Sequence, residues 1–174
     1  FVVPRASLDE AARRIGAWTE RLIGLDAGEA VSPVEGVTVT AVRAAHETLE
    51  RTAEGWHRFL GFVIEIGGTR LYHSGDTVPF EGLAREVAAL EPAVALLPVN
   101  GRRAALTEVG IVGNLDLAEA RALAAAIGVE DMIAHHYGMF AFNTVPAETI
   151  DRAAEDGCTP RVHRARTGTE YRLC

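Results

Sequence analysis

The 174-residue sequence contains no lysine: its 17 basic residues are all arginines, set against 24 acidic ones for a formal charge of -7. That field repels polyanions, so a nucleic-acid partner is not expected. The arginine bias, together with the wealth of alanine, fits a GC-rich coding preference and carries no mechanism. Cysteine is scarce, with only Cys158 and Cys174, which excludes a disulfide framework and a cysteine metal cluster and suits a reducing cytoplasm. No apolar run approaches the roughly 20 residues a bilayer crossing needs. There is no linker-like stretch, charge block or internal repeat, so residues 1–174 are read as a single domain. A G-x-S-x-G nucleophile elbow is also missing, and Ser74 beside Gly75 suits hairpin packing better than attack.

With 48% hydrophobic and 24% charged residues, the chain has the balance of a folded protein and not of a disordered one. The opening FVVPR reads as a short strand, and Ser7 with Glu10 has the spacing of a capping box at the start of a helix that runs to Gly16. From Gly36, GVTVTAVRAAH alternates as a half-buried strand does. GFVIEI and TRLYHS are joined by Gly67-Gly68, a hairpin signal. A helix is expected over 80–90, then a buried strand at AVALLPV, since Pro92 separates the two. Asn114 is placed to cap a helix running to Gly128, and DMIAHH is another buried strand. A helix over 146–155 and a terminal hairpin of RVHRAR and TEYRL close the chain. Helices between strands describe an α/β layered domain with polar groups gathered at one sheet edge.

Three strand-end motifs concentrate the chemistry: AAHE around His46, YHSGDT around Asp76 and AHHYGMF around His136. A lone histidine at a strand end is usually a satisfied polar residue. Two imidazoles plus a carboxylate, however, make the ligand set of borderline divalent ions, and a carboxylate can bridge a metal pair. Asn100, Arg102 and Arg103 follow the buried strand ALLPV, where a guanidinium fork can meet an anion or simply sit in solvent. Tyr137 and Asn143 follow the late histidine and either line the same rim or serve turn and cap roles. His73, three residues before Asp76, could stand behind a ligand, but like His57 and His163 it is given no role, and Trp18 and Trp56 are read as packing or lid residues.

The run GFVIEIGGTRLYHSGDT, then ALLPVNGR, GNLDLAEARALAAAIG and AHHYGMFAFN, resembles the metallo-β-lactamase-fold hydrolases, and within them the L-ascorbate-6-phosphate lactonase branch. The resemblance implies an αββα four-layer sandwich lacking its N-terminal part. It implies His46 and His136 as ligands of one metal each, with Asp76 as the bridging catalytic carboxylate, and His136 in preference to His135. The cofactor implied is one or two divalent ions, zinc or manganese, whose bound hydroxide attacks a lactone, ester or phosphoester of a small anionic substrate. The family's His-x-His-x-Asp-His cluster occurs nowhere in these 174 residues. The chain is therefore expected to be the C-terminal portion of a longer hydrolase, inactive alone, with a degenerate relative as the competing explanation. A phosphodiesterase or nuclease of the same fold and a non-catalytic binding domain are the alternatives, and self-association is left open.

Overall fold

A computed structural model of the chain describes residues 1–172; Leu173, at the end of the expected terminal hairpin, and Cys174 lie outside them. The strands are β1 Val2–Pro4, β2 Ile23–Leu25, β3 Ala30–Val34, β4 Val37–Arg43, β5 Leu60–Ile66, β6 Thr69–His73, β7 Val94–Pro98, β8 Asp131–His135 and β9 Arg161–Arg164. The α-helices are α1 Leu8–Ile15, α2 Leu83–Ala88, α3 Ala104–Thr107, α4 Leu117–Ile127 and α5 Ala147–Ala154.

β3 to β9 form a seven-stranded sheet in sequential order, and β1 pairs with β2 separately. β3 to β6 are antiparallel, while β6, β7, β8 and β9 run parallel. The β5–β6 turn is built from Gly67 and Gly68 at φ 58° and 83°, the doubly positive geometry of a tight hairpin that only glycine adopts without strain. β7 and β8 sit centrally in the parallel half, which explains their continuous apolar sequences.

Register and alternation divide the side chains. Tyr72, Ala95, Leu97, Met132, Ala134 and Val162 share one face, buried in the main core with α2, α4 and α5 residues such as Val87, Leu123, Ala124 and Ile150. The opposite face carries Leu71, His73, Leu96, Ile133 and His135, of which none is fully buried. A second, small core of Leu25, Ala41 and Leu60, with Val2 and Ile23 against it, covers only the β4–β5 end of that face. The described residues thus supply a helical layer, one complete sheet and the fringe of a third layer of the expected four.

Several local expectations change. Ser7 makes no side-chain cap bond, standing at φ -110° and ψ 6° at the end of a short turn and not in the extended conformation of an N-cap, and the Glu10 carboxylate, which would supply the reciprocal bond, pairs with Arg13 and Arg14 at 2.5 and 2.6 Å. The expected helix over 80–90 shortens to α2, since Gly82 stands left-handed at φ 91° as its N-cap. The cap of α4 is Asp116 and not Asn114, in a complete capping box with Glu119. β9 has no hairpin partner among residues 169–172; Tyr171 instead donates its hydroxyl to the Arg164 carbonyl at 2.6 Å.

Candidate metal centre

His46, Asp76 and His136 come from three separate sheet ends and meet in one cleft of about 380 Å³. His46 Nε2 is 3.9 Å, and His136 Nε2 3.5 Å, from the same oxygen, Asp76 Oδ2. Each of the three residues stands at or beside a left-handed backbone position. Glu47 (φ 74°) follows His46, Gly75 (φ 63°) precedes Asp76, and His136 itself is at φ 58°. For a non-glycine residue that conformation costs on the order of 1–3 kcal/mol and persists only where the surroundings impose it. At His136 it has a visible effect. β8 ends at His135 on the open face of the sheet, and simple alternation would send His136 into the helical core. The reversal turns it towards Asp76.

Thr77 holds two of these loops together. It is fully buried; its Oγ1 accepts the Ala45 N–H at 3.1 Å, and the Ala45 carbonyl accepts the Val78 N–H at 2.9 Å. The residue before His46 is thereby tied to the residues after Asp76. The Thr77 carbonyl also accepts the Leu115 N–H at 2.9 Å, which attaches the segment leading to α4. Behind Asp76, His73 Nδ1 accepts the Gly75 N–H at 3.0 Å and its ring lies 4.9 Å from that of His135. Burial lowers the His73 pKa. Burial, followed by the nearby His73 and His136, pushes His135 down to about 4. The pair is therefore neutral at pH 7. His73 takes the supporting place behind Asp76, and His135 stays out of the cleft.

Of the other anticipated residues, Asn143 lines the cleft, together with Gly110, Ile111, Val112, Asn114, Phe140 and Phe142. Asn100 is buried behind it, where its Oδ1 accepts from Asn114 Nδ2 at 3.0 Å. Arg102 is drawn away: its guanidinium binds both carboxylate oxygens of Glu119, at 2.6 and 2.5 Å, on the first turn of α4. Arg103 donates to the Phe142 carbonyl at 3.0 Å. Tyr137 faces an adjoining hollow that shares His136 and is also lined by His135, Ile133, Arg166 and Tyr171, and its hydroxyl donates to the Ala165 carbonyl. Among the described residues no arginine lines the first cleft, while Arg166 lines its neighbour. Sequence assigns no role to Thr77, Phe140 and Phe142, although Thr77 and Phe140 stand within the motifs around Asp76 and His136, and Asn114 reads only as a helix cap.

The donor set suits a borderline divalent ion, with two imidazoles flanking one carboxylate. His136 Nδ1 is buried without a hydrogen-bond partner, an orphaned atom that a bound group or its support would satisfy. The set is nevertheless partial, since among the described residues no group of three or more His, Cys, Asp or Glu is placed to hold an ion.

A family model described as a beta-lactamase superfamily domain matches residues 3–137. A protein of Methanosphaerula palustris named a metal-dependent hydrolase is 31% identical over 155 residues, covering 87% of this chain and 64% of its own length. One of Myxococcus xanthus with the same name is 32% identical over 132 residues, covering 72% of this chain and 43% of its own. The chain thus spans about half to two thirds of the length of these relatives. Among solved structures, a metallo hydrolase from Ignicoccus hospitalis superposes with a TM-score of 0.66 at 21% identity, over 95% of this chain and 74% of that one. The zinc-bound PqqB of Methylobacterium extorquens does so with a TM-score of 0.56 at 17% identity, over 78% and 52%.

Proposed function

This chain belongs to the beta-lactamase superfamily and has its α/β fold, and from that premise we propose that it forms part of a metal-dependent hydrolase, of which His46, Asp76 and His136 are ligands. The observation that carries the reading is the convergence of two imidazoles on one oxygen of Asp76 from three sheet ends. Such spacing leaves Asp76 able to serve both histidines' ions, with its second oxygen still available. The three residues do not make a full ligand set, and the chain spans 64% and 43% of the length of the two relatives.

A divalent ion of the zinc or manganese type would supply Lewis acidity and an acidified water at neutral pH. The chain's own contribution is positional. Thr77 fixes the distance between the His46 and Asp76 loops, and His73 fixes the turn that presents Asp76. Neither a serine nor a cysteine nucleophile is needed, and Ser74 is occupied with the Gly75 carbonyl at 2.7 Å. The substrates in view are a lactone, ester or phosphoester, the lactone because of the ascorbate-6-phosphate lactonase resemblance. The small-anion expectation loses Arg102, which is bound to Glu119. A reducing, cytoplasmic setting suits the exposed free thiol of Cys158. No helix among the described residues is long and apolar enough to cross a membrane.

The test is metal per chain by elemental analysis of the complete natural protein, beside Asp76→Ala. Near-stoichiometric divalent metal that Asp76→Ala abolishes is the expected result. Metal-free, folded wild-type protein, or metal unchanged in the variant, refutes the reading.

A further inference from the structure

The cleft has two unlike ends. His46, Asp76 and His136 make one. The other is apolar: Phe140 and Phe142 stack at 5.5 Å between ring centroids and 24° between planes, and Ile111 and Val112 complete the lining. Both phenylalanines are 48% exposed, and neighbouring Met139 is 64% exposed. Within the described residues this leaves an apolar contact surface at the mouth of a polar site. The loop is also held in place: Arg103 binds the Phe142 carbonyl, the Phe140 carbonyl accepts the Asn143 N–H at 3.1 Å, and Thr144 Oγ1 accepts the Gly138 N–H at 2.6 Å. Arg103 therefore fastens the aromatic pair to the α3 segment and is not itself part of the lining.

Asn114 and Asn143 also line the cleft, 2% and 5% exposed, and among the described residues nothing donates to their buried side-chain carbonyl oxygens. Unmet acceptors beside a cleft are capacity for a ligand's N–H or O–H. The adjoining hollow, which shares His136, holds Arg166, so the charge of the substrate is not set by this lining.

Resting on the hydrolase reading, we propose that Phe140 and Phe142 determine specificity, selecting a substrate that carries a flat apolar group such as an aromatic ring. The ring lies against the Phe140–Phe142 pair, the hydrolysable carbonyl faces Asp76 and the histidines, and a donor on the linking portion meets Asn114 or Asn143. Burying one phenyl ring against such a pair favours the aromatic ligand about 10-fold or more over its ring-less counterpart.

The experiment measures binding and hydrolysis separately in the complete protein. Binding of 3-phenylpropanamide and of propanamide is followed by NMR, and hydrolysis of methyl 3-phenylpropanoate and methyl propanoate is followed in a pH-stat. Expected are about a 10-fold binding preference for the phenyl amide and a kcat/KM ratio of the same sense. Both preferences fall towards unity in Phe140→Ala/Phe142→Ala, with metal content unchanged, and return in Phe140→Tyr/Phe142→Tyr. Equal affinity for the two amides in the wild type, or a preference that survives in the alanine double variant, overturns the proposal. So does a double variant that converts a dimer to a monomer, which would assign the rim to a second copy of the chain. Absence of metal and of all ester hydrolysis, with the amide preference intact and sensitive to the double variant, would instead sink the hydrolase reading and leave an aromatic-binding cleft.

Discussion

Asp131→Asn removes the staple that joins edge strand β9 to the sheet. The side chain of Asp131 is 4% exposed, and its carboxylate accepts from Arg161 Nε and Nη2 at 2.9 and 2.7 Å and from His163 at 2.6 Å. β9 pairs with β8 over only four residue pairs, so these charged bonds are a large part of what holds it. Each hydrogen bond to a charged group contributes about 1.5–3 kcal/mol. Asparagine keeps one acceptor oxygen, and the Arg161 side chain, 53% exposed, regains water. The net loss is therefore about 2 kcal/mol at pH 7, or a Tm lower by about 4–8 °C at this chain length.

The pH dependence supplies the sharper criterion. Arg161 first, then His163, holds the Asp131 carboxyl below its ordinary value, against the opposing effect of burial. A depressed carboxylate stabilises fully above its unfolded pKa and loses that contribution as pH falls through the folded one. Urea unfolding followed by far-UV circular dichroism should therefore show a wild-type advantage that is present at pH 7 and still present at pH 5. It should shrink as the pH passes below about 4, near the unfolded carboxyl value. An advantage under about 0.5 kcal/mol at pH 7, or one that persists undiminished at the lowest pH where both proteins fold, would refute this account, since the first is within the range of ordinary surface changes.

Two further substitutions test how the site residues are held. Thr77→Val leaves the Ala45 N–H without its acceptor and should cost about 1–3 kcal/mol of stability and about 10–100-fold in metal affinity, read by chelator competition, with Thr77→Ser restoring both; unchanged metal affinity would deny Thr77 its positioning role. Gly75→Ala places a Cβ 3.0 Å from the Leu60 carbonyl at a φ of +63°; it should destabilise by about 1–3 kcal/mol and weaken metal binding, and full retention of both would show that the Asp76 turn tolerates the shift.

Much of this molecule was legible in its sequence, and the exceptions have identifiable causes. The Gly67-Gly68 hairpin and the buried strands at AVALLPV and DMIAHH follow from local rules of backbone geometry and apolar patterning. The failures came where two local signals competed. Ser7 makes no cap bond, ending a short turn in a non-extended conformation, and the Glu10 carboxylate pairs instead with Arg13 and Arg14. Asn114 yielded the α4 cap to Asp116, two residues on, whose Glu119 completes the reciprocal bond. Arg102 was read as a substrate contact, yet Glu119 lies 17 residues away along the chain and only the fold brings it within reach.

By itself, then, the sequence determined where imidazole and carboxylate donors stand and that His46, Asp76 and His136 each follow the end of a strand, because hydrophobic period and strand-end punctuation are local properties of the chain. Only the tertiary structure decided that His46 and His136 approach one oxygen of Asp76, and that His136 does so through a left-handed backbone reversal that turns it from the helical side. The same holds for the buried Thr77 tie, which joins residues 45 and 77. These contacts span about 30 residues between His46 and Asp76 and about 60 between Asp76 and His136, separations that no local pattern encodes.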